Sequence, residues 1–467
     1  MGKKNHELIP SARRLMSSLR DMGYDFPSAV ADIVDNSIEA GATRVDIDVR
    51  GDVDDSWVRI SDNGRGMKPA DIREALRFGT VRDYDERKAL GKFGLGLKTA
   101  SMSQCQHLLV ASRSNPGQPQ ISAYAWDLAH VEETDSWEIL TVGPTQHAEL
   151  LREPLLEHTG TVVLWRRLDR MLGFKHPYGG MVKRRLATMC AELEEHLAMV
   201  FHRFIAGEAG ASKLRITVNG KRLHGWDPFA RTESATVRLD PVEIVYDHDG
   251  IQGRVKIEPF VLPHQHEFSS ASAHAAAAGP ERWNRQQGFY IYRAERMVQS
   301  GGWSTLRTLD EHIKLARVAV SFDPRLDDAF RVNVAKMRVQ LPRLLREQME
   351  QAIAPVVKMA QAAYRRSPDS SVETGERNIR HVPNTNDRVA ALRVVQLKKS
   401  THTDRLNAGD DSFRCIQQLF DELNAIASRD ERRVLKSLFD RFRQAPTKPD
   451  VANKLSKYVD ERKRLTA

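Results

Sequence analysis

The stretch from residue 28 to residue 67 constrains the fold more than any other part of the chain. Residues 28–40 have the spacing of an amphipathic helix, and Gly41 suits the left-handed position that follows a helix end. The segments 44–49 and 57–61 then alternate polar and apolar residues as half-buried strands do. Two strands that end in a glycine-rich loop predict a ligand site at the edge of a sheet.

Two polar residues of this helix, Asp32 and Asn36, lie one turn apart. Their side chains therefore point the same way, and a carboxylate with an amide oxygen on one helical face can hold a water molecule and a hard cation. A solvated polar face explains the pair equally well when this stretch is considered alone. Ser28 is the expected N-cap of the helix.

Asp62 ends the second strand and is followed by Gly64 and Gly66, which would let a flat ligand approach the backbone closely. Its carboxylate could accept a hydrogen bond from the exocyclic amine of a purine. Asp-Asn-Gly is also common turn chemistry, and from this stretch alone an ordinary turn is the favoured explanation.

A second glycine-rich loop, residues 91–96, runs into a helical segment. The backbone N–H groups of such a loop and the helix N-terminus can bind an anion, and Lys98 or Thr99 could contribute. The spacing is not that of a Walker loop, and no strand directly precedes it as in a dinucleotide-binding fold. Taken alone, the loop is weak evidence for a phosphate site.

The predicted elements divide the chain into three regions: residues 1–206, a second mixed α/β unit at 207–345, and a helical, basic region at 346–467. The Ala/Ser-rich segment 269–279 is predicted to be a mobile loop in the second unit. Residues 367–388 are polar and contain proline, and they are predicted to be a linker.

Charge and composition restrict the class of partner. The chain has 71 Lys and Arg against 62 Asp and Glu, a net charge of +9, which permits nucleic-acid binding without establishing it. It has no apolar run of about eighteen residues, so no membrane span is expected. The cysteines, Cys105, Cys190 and Cys415, lack metal-ligand spacing, and a reduced, cytoplasmic setting is expected.

Four stretches together resemble the GHKL family, named for gyrase B, heat-shock chaperones, histidine kinases and MutL. Residues 32–36 look like its N-box, 62–66 like its first glycine box, 91–98 like its second, and 160–161 like its late adenine-site element. The N-box is nearest in form to the microrchidia (MORC) and MutL members. The resemblance implies an α+β fold: a GHKL (Bergerat) ATP-binding α/β sandwich, a transducer-like α/β domain and a helical C-terminal region.

The resemblance also implies ATP and Mg²⁺ as ligands. Asn36 would coordinate Mg²⁺, Asp62 would bind the adenine amine with help from Thr161 through water, and Lys336 would reach the γ-phosphate from the second domain. The implied ATP-binding residues are Asn36, Asp62, Gly64, Gly66, Met67, Gly91, Lys92, Phe93, Gly94, Leu95, Gly96, Lys98 and Thr161. Asp32 and Lys336 are the implied catalytic residues.

One position departs from the family pattern. The family usually has glutamate four residues before the magnesium-binding asparagine, and this chain has Asp32, which is one methylene shorter. A general base must come within hydrogen-bond reach of its water, about 3 Å, so slow hydrolysis is expected. Asp35 is the neighbouring carboxylate on this helix and is expected to orient lid or N-terminal groups.

These features predict an ATP-gated dimeric clamp that hydrolyses ATP in a DNA-related process. The expected partners are ATP, a second copy of the chain, and DNA or a DNA-processing protein. One alternative is a nucleotide-sensing scaffold that regulates a partner nuclease or methyltransferase with little hydrolysis. A chaperone or a histidine-kinase-like enzyme is a weaker alternative.

Overall fold

The computed structural model describes residues 9–21, 23–51, 56–78, 96–117, 120–170, 180–208, 213–332, 339–365 and 393–396. These residues form two β-sheets with helices packed against them, which confirms the predicted α+β class. The predicted linker and almost all of the basic region beyond it lie outside the described residues.

An eight-stranded sheet forms the centre of the first domain. Its strands are β1 (Arg44–Arg50), β2 (Trp57–Asp62), β3 (His107–Arg113), β4 (Ser122–Asp127), β5 (Leu140–Thr141), β6 (Gly160–Arg166), β7 (Arg215–Val218) and β8 (Lys221–Arg222). The strand order is β5-β4-β3-β6-β2-β1-β7-β8, and every neighbouring pair is antiparallel except β1 with β7.

Strands β7 and β8 differ from the predicted domain division, which placed them in a second unit from residue 207. β7 pairs in parallel with β1, with Ile216 opposite Val45, and the hairpin turn at Asn219 and Gly220 leads into the edge strand β8. Both turn residues have positive φ, as a tight hairpin requires. Parallel pairing with a strand far away in the chain leaves no local sequence signal.

Helices cover the first sheet mainly on one face. They are α1 (Ala12–Arg20), α2 (Phe26–Glu39), α3 (Pro69–Leu76), α4 (Gly96–Gln104), α5 (Leu128–Thr134), α6 (Ala148–Leu151), α7 (Gly180–Val200) and α8 (His202–Ala206). α2 packs against both α4 and α7, and these helices share one apolar core with the sheet. A smaller core lies under α6 on strands β3, β4 and β6.

Helix α2 has Asp25 as its N-cap, not Ser28 as the sequence suggested. Asp25 Oδ1 accepts a hydrogen bond from the Ser28 N–H at 2.8 Å, and Pro27 fits the first turn because its nitrogen needs no partner. The helix ends before Gly41, whose φ of +75° confirms the predicted left-handed position. Because α2 is buried along most of its length, its few polar side chains lie at defined places in the first domain.

A second sheet forms the second domain. Its strands are β9 (Val237–Arg238), β10 (Val242–His248), β11 (Ile251–Val261), β12 (Gly288–Arg293), β13 (Arg296–Ser300), β14 (Ala316–Phe322) and β15 (Arg393–Gln396). The order is β13-β12-β14-β11-β10-β15, with β9 on β11. The helices of this domain are α9 (Ala271–Ala278), α10 (Arg282–Arg285) and α11 (Arg343–Tyr364), and its single 3₁₀ turns lie at Gln265–Glu267, Glu311–Ile313 and Pro324–Leu326. A further 3₁₀ turn, Glu153–Leu155, follows α6 in the first domain.

Helix α11 crosses the predicted domain boundary at residue 345 and packs on the second sheet. It buries a stripe at helical spacing against β11 and β14. The residues of that stripe are Leu345, Met349, Ile353, Val356, Val357 and Ala360. The first part of the predicted C-terminal region therefore belongs structurally to the second domain.

The Ala/Ser-rich segment is a helix, α9, and not the loop that was predicted. Ser270 caps it, since its Oγ accepts the Ala273 N–H at 3.1 Å, and Gly279 ends it with a φ of +70°. Alanine has the highest helix propensity, and the cap and stop residues supply both helix ends. The compositional argument for a loop neglected this local chemistry.

Candidate functional site

Asp62 lies at the end of β2, where α2, β6 and the following glycine turn meet. Its carboxylate accepts hydrogen bonds from Ser37 Oγ at 3.0 Å, from the Gly64 N–H at 2.8 Å and from the Thr161 N–H at 3.2 Å. Burial raises the pKa of Asp62, and these three donors oppose the shift. The side chain is thus held in one orientation in a nearly dry place.

The Asp62 carboxylate retains capacity for a further donor. An ionised carboxylate offers about four acceptor positions, and the described neighbours occupy three of them. The remaining position suits an N–H donor of a ligand that reaches the end of β2. An exocyclic purine amine is such a donor.

Three glycines close the space around Asp62. A Cβ on Gly64 would lie 2.8 Å from Ala40 Cβ, one on Gly66 would lie 2.0 Å from the Arg113 carbonyl oxygen, and one on Gly160 would lie 1.9 Å from the Asp62 carbonyl oxygen. Gly66 also has a φ of +66°. No larger residue fits at these positions without moving the backbone.

Ser112 connects the parts of this pocket, and it was not among the predicted site residues. Its Oγ donates to the Gly160 carbonyl at 2.7 Å, lies 3.0 Å from Thr161 Oγ1 and accepts the Met67 N–H at 2.8 Å. One buried hydroxyl on β3 therefore ties the first glycine turn to the start of β6. A serine within an apolar strand carries no motif, so only the fold reveals its role.

Asp32 is buried on α2, and its two oxygens are approached from different elements. Tyr24 Oη donates to Asp32 Oδ2 at 2.8 Å, and Arg296 Nη2 of β13 lies 3.8 Å from Oδ1. Burial, and then the negative charge of Asp32, raise the pKa of Tyr24, so its hydroxyl stays protonated and donates. Neither Tyr24 nor Arg296 was predicted, because neither lies within a recognisable motif.

The first turn of α4 adjoins Asp32. A Cβ added to Gly96 would be 3.4 Å from Asp32 Oδ2. A helix N-terminus carries free N–H groups and a partial positive charge, which favour an anion. The candidate base and a candidate phosphate-binding element are therefore neighbours in the fold.

Asn36 is exposed on α2, one turn beyond buried Asp32. Its side chain makes no hydrogen bond to the part of the chain that the structure describes, so its amide oxygen is available to a ligand. Mg²⁺ keeps several waters and takes few protein oxygens when it binds with substrate phosphates, and a single amide oxygen fits that pattern.

Lys98 has structural contacts that the sequence did not predict. The side chain is buried on α4, and its ammonium donates to the carbonyl oxygens of Ala75 at 3.0 Å and Arg77 at 2.8 Å. These carbonyls lie at the C-terminal end of α3, where helix carbonyls lack intrahelical partners. In this structure Lys98 therefore caps α3.

Asp35 contacts the second domain. Its Oδ1 lies 2.9 Å from Arg296 Nε of β13, and the expectation that Asp35 orients lid or N-terminal groups stays a prediction. The other predicted residues, Lys336 and the loop residues Gly91, Lys92, Phe93, Gly94 and Leu95, lie outside the described residues. The structure brings Asp32, Asn36, Asp62, Gly64, Gly66, Met67, Gly96 and Thr161 together around α2.

Comparison with known proteins agrees with this architecture. Residues 24–160 match the sequence model of the family described as histidine kinase-, DNA gyrase B- and HSP90-like ATPases. Residues 24–160 therefore make up a domain of the GHKL type, as the motifs predicted.

Several curated relatives are DNA mismatch repair proteins MutL. The protein from Shigella boydii is 32% identical over 206 residues, which are 37% of this chain and 33% of that protein. The one from Shewanella halifaxensis is 38% identical over 112 residues, which are 23% of this chain and 16% of that protein. The chain thus matches a third or less of the length of these relatives.

Among solved structures, the N-terminal domain of a DNA repair protein aligns with a TM-score of 0.40 and 16% identity, covering 76% of this chain and 97% of that one.

Within the described ranges, no helix combines the length and apolar character that crossing a membrane requires.

Proposed function

We propose that the chain binds ATP with its adenine amine on Asp62. The observation that carries the proposal is the buried Asp62 carboxylate, fixed by three donors and left with one acceptor position. Gly64, Gly66 and Gly160 keep the surrounding backbone close, which suits a flat base. Met67 and Thr161 complete the base pocket.

The phosphates would lie toward the first turn of α4. Asn36 would hold Mg²⁺ with its amide oxygen, and the metal would neutralise phosphate charge. Residues 91–96 would wrap the phosphates, and Lys336 would contact the γ-phosphate. The proximity of Gly96 to Asp32 supports this placement, because it brings an anion-binding helix end beside a potential base.

Asp32 would act as the general base for the attacking water. Its side chain is shorter than glutamate, and Tyr24 holds one of its oxygens at 2.8 Å. Both features restrict its reach, so turnover would be slow. Positioning by Tyr24 would keep the carboxylate in one place, which partly offsets the lost length.

The direct test is phosphate release from ATP by the full chain. We expect slow, Mg²⁺-dependent release that falls to background in Asp32→Asn while ATP affinity remains. Asp48→Asn is the matched control, because Asp48 lies on β1 and pairs with Arg59 away from α2. Equal rates in the native chain and Asp32→Asn would exclude Asp32 as the base.

A nucleotide-sensing scaffold is the second candidate function. It is favoured by the contacts of Tyr24 and Arg296 with Asp32, which could leave the carboxylate poorly placed to activate water. Such a protein would bind ATP and regulate a partner nuclease or methyltransferase. ATP binding without measurable phosphate release would support it.

We further propose that ATP binding gates a dimer in a DNA-related process. The supporting observations are the net charge of +9 and the relatives named DNA mismatch repair proteins. DNA or a DNA-processing protein would then be the molecule that the dimer engages.

A further inference from the structure

The hairpin formed by β12 and β13 reaches from the second domain into the first. Its turn residues, Ala294 and Glu295, have φ values of 46° and 67°, in the left-handed region that residues with a Cβ seldom occupy. Ala294 packs against the apolar core of the first domain. Strain of this kind persists only where surrounding contacts hold it.

Two ion pairs hold the hairpin tip to the first domain. Glu295 Oε2 lies 2.8 Å from Arg203 Nη1 of α8, and Arg296 Nε lies 2.9 Å from Asp35 Oδ1 of α2. Arg296 is 3% exposed, and its guanidinium lies 5.8 Å from the centre of the Phe201 ring. The two pairs therefore connect one tip to two different helices.

Arg296 differs from Glu295 because it also approaches the candidate base. Its Nη2 is 3.8 Å from Asp32 Oδ1, while Tyr24 holds Asp32 Oδ2 from within the first domain. Removing a buried cation that lies beside two buried carboxylates is costly, since both carboxylates lose a nearby opposite charge. The arrangement of Asp32 and Asp35 is thus coupled to the presence of the hairpin.

Asp32 and Asp35 are three residues apart on α2, so one guanidinium can lie beside both carboxylates. A purely structural ion pair and a positioning role therefore differ in what they predict for turnover, because Asp32 is the residue that must direct a water. An aspartate has less reach than a glutamate, so its orientation matters more, and errors of about 1 Å can cost about a hundredfold in rate.

We propose that Arg296 is a positioning residue that orients Asp32 and makes hydrolysis depend on docking of the second domain. This inference rests on the proposed ATP hydrolysis at the same site. Arg296 acts through Asp32 and Asp35, so its loss impairs turnover rather than nucleotide binding. The second domain thereby controls the base through a contact separate from Lys336.

The test compares three variants of the full chain in phosphate release. Arg296→Met should lower kcat by about tenfold or more with KM for ATP within about twofold, because orientation and not binding is lost. Arg296→Lys should recover part of kcat, since it restores the charge without the planar fork. Glu295→Gln is the control, because it removes the other interdomain ion pair and leaves Asp32 untouched.

Wild-type kcat in Arg296→Met would overturn the inference while leaving the proposed ATPase intact. An equal loss of kcat in Glu295→Gln would also overturn it, because general loosening of the domains would then suffice. If Arg296→Met does not fold, kcat of Arg296→Lys is compared with kcat of Glu295→Gln. A lower kcat in Arg296→Lys supports the inference, and equal values overturn it.

Amide hydrogen exchange supplies a readout that needs no turnover. A non-hydrolysable ATP analogue should change exchange in residues 288–300 of the native chain and of Glu295→Gln, but not of Arg296→Met. An unchanged response in Arg296→Met contradicts the inference. Failure of the native chain to bind the analogue would instead contradict the proposed function, and calorimetry on the native chain detects that case separately.

Discussion

The backbone at Gly66 shows how a single residue can determine the pocket. Its φ of +66° and the nearby Arg113 carbonyl leave room for hydrogen only. Gly41 has a similar φ of +75°, but a Cβ there would meet nothing within 4 Å. The two glycines therefore separate the cost of an unusual φ from the cost of a steric clash.

We predict that Gly66→Ala destabilises the fold by about 3 kcal/mol or more, because strain and clash add. Gly41→Ala should cost only about 1 kcal/mol, from the positive φ alone. Urea unfolding measures both changes. Equal losses would mean that the close approach at Gly66 is not present in solution.

Lys98 gives a second test at this scale. Lys98→Met should lower the free energy of unfolding by about 1–3 kcal/mol, because two carbonyls at the end of α3 lose a charged donor. Lys221→Met is the control, since its pair with Glu194 is exposed and worth little. Unchanged stability with a large loss of ATP affinity would favour the phosphate role that the sequence suggested.

Residue roles could be predicted only where neighbours in the sequence supply the chemistry. Asp62 was recognisable because Gly64 and Gly66 follow it, and Gly41 because it ends a helical pattern. Tyr24, Ser112 and Arg296 act through contacts with residues far away in the chain, and such contacts leave no local pattern. The candidate residues of the site were thus visible in the sequence, and the groups that hold them in place were not.

Among the elements, the Ala/Ser-rich helix α9 shows how contacts with distant residues stabilise a segment whose sequence has no apolar stripe. Trp226 Nε1 donates to the Ala276 carbonyl at 3.0 Å, and Arg317 Nη2 donates to the Ala277 carbonyl at 2.7 Å. These donors bond carbonyls in the last turn of the helix, where intrahelical partners run out; the Ala276 carbonyl also accepts the Gly279 N–H at 3.2 Å. The small alanine side chains allow the helix to lie close to the buried Arg317.

The junction of α8 with β12 contains a buried histidine. His202 Nε2 lies 2.8 Å from Tyr292 Oη, and burial keeps the pKa of Tyr292 well above its ordinary value. Burial, followed by the charge of Arg203, lowers the pKa of His202 to about 4. Tyr292 therefore donates to a neutral imidazole across the domain junction.

This contact predicts acid sensitivity. As pH falls below about 6.5, the unfolded chain protonates this histidine before the folded chain does, so stability decreases until about pH 4. The full effect of this group is about 3 kcal/mol. In His202→Gln, the amide oxygen can still accept from Tyr292. The free energy of unfolding of this variant, measured with urea, should therefore decrease less between pH 7 and pH 4 than that of the native chain.

An equal acid-induced loss in His202→Gln would show that other groups cause it. His107 and His196 also have pKa values lowered to about 4 by burial, so the variant should retain part of the pH dependence. The quantity to compare is therefore the difference between the native chain and His202→Gln in how steeply the free energy of unfolding changes with pH.

At the scale of the whole molecule, nucleotide state should change assembly. A dimer gated by ATP predicts a doubled mass in light scattering with a non-hydrolysable ATP analogue and a monomer with ADP. Asp62→Asn should stay monomeric with either nucleotide. The same mass with both nucleotides in the native chain would contradict the gated clamp.

The division into domains was only partly predictable for a related reason. Each sheet gathers strands from distant parts of the chain, as β7 joins β1 and β15 joins β10. Strand existence follows from local alternation, whereas strand partners depend on long-range packing. The order of motifs in the sequence therefore indicated the family, whereas the set of strands in each sheet could be identified only from the structure.

The most direct test of the account is a calorimetric titration of the full chain with Mg-ATP and Mg-GTP, repeated with Asp62→Asn. Adenine presents an amine where guanine presents a carbonyl oxygen, so native Asp62 should favour ATP by at least about tenfold. Asp62→Asn should lose that preference and bind ATP more weakly. Asp48→Asn should keep both the preference for ATP over GTP and the native affinity for ATP. Equal Kd values for ATP and GTP in the native chain, or unchanged ATP binding in Asp62→Asn, would contradict the assignment of Asp62 as the adenine-binding residue.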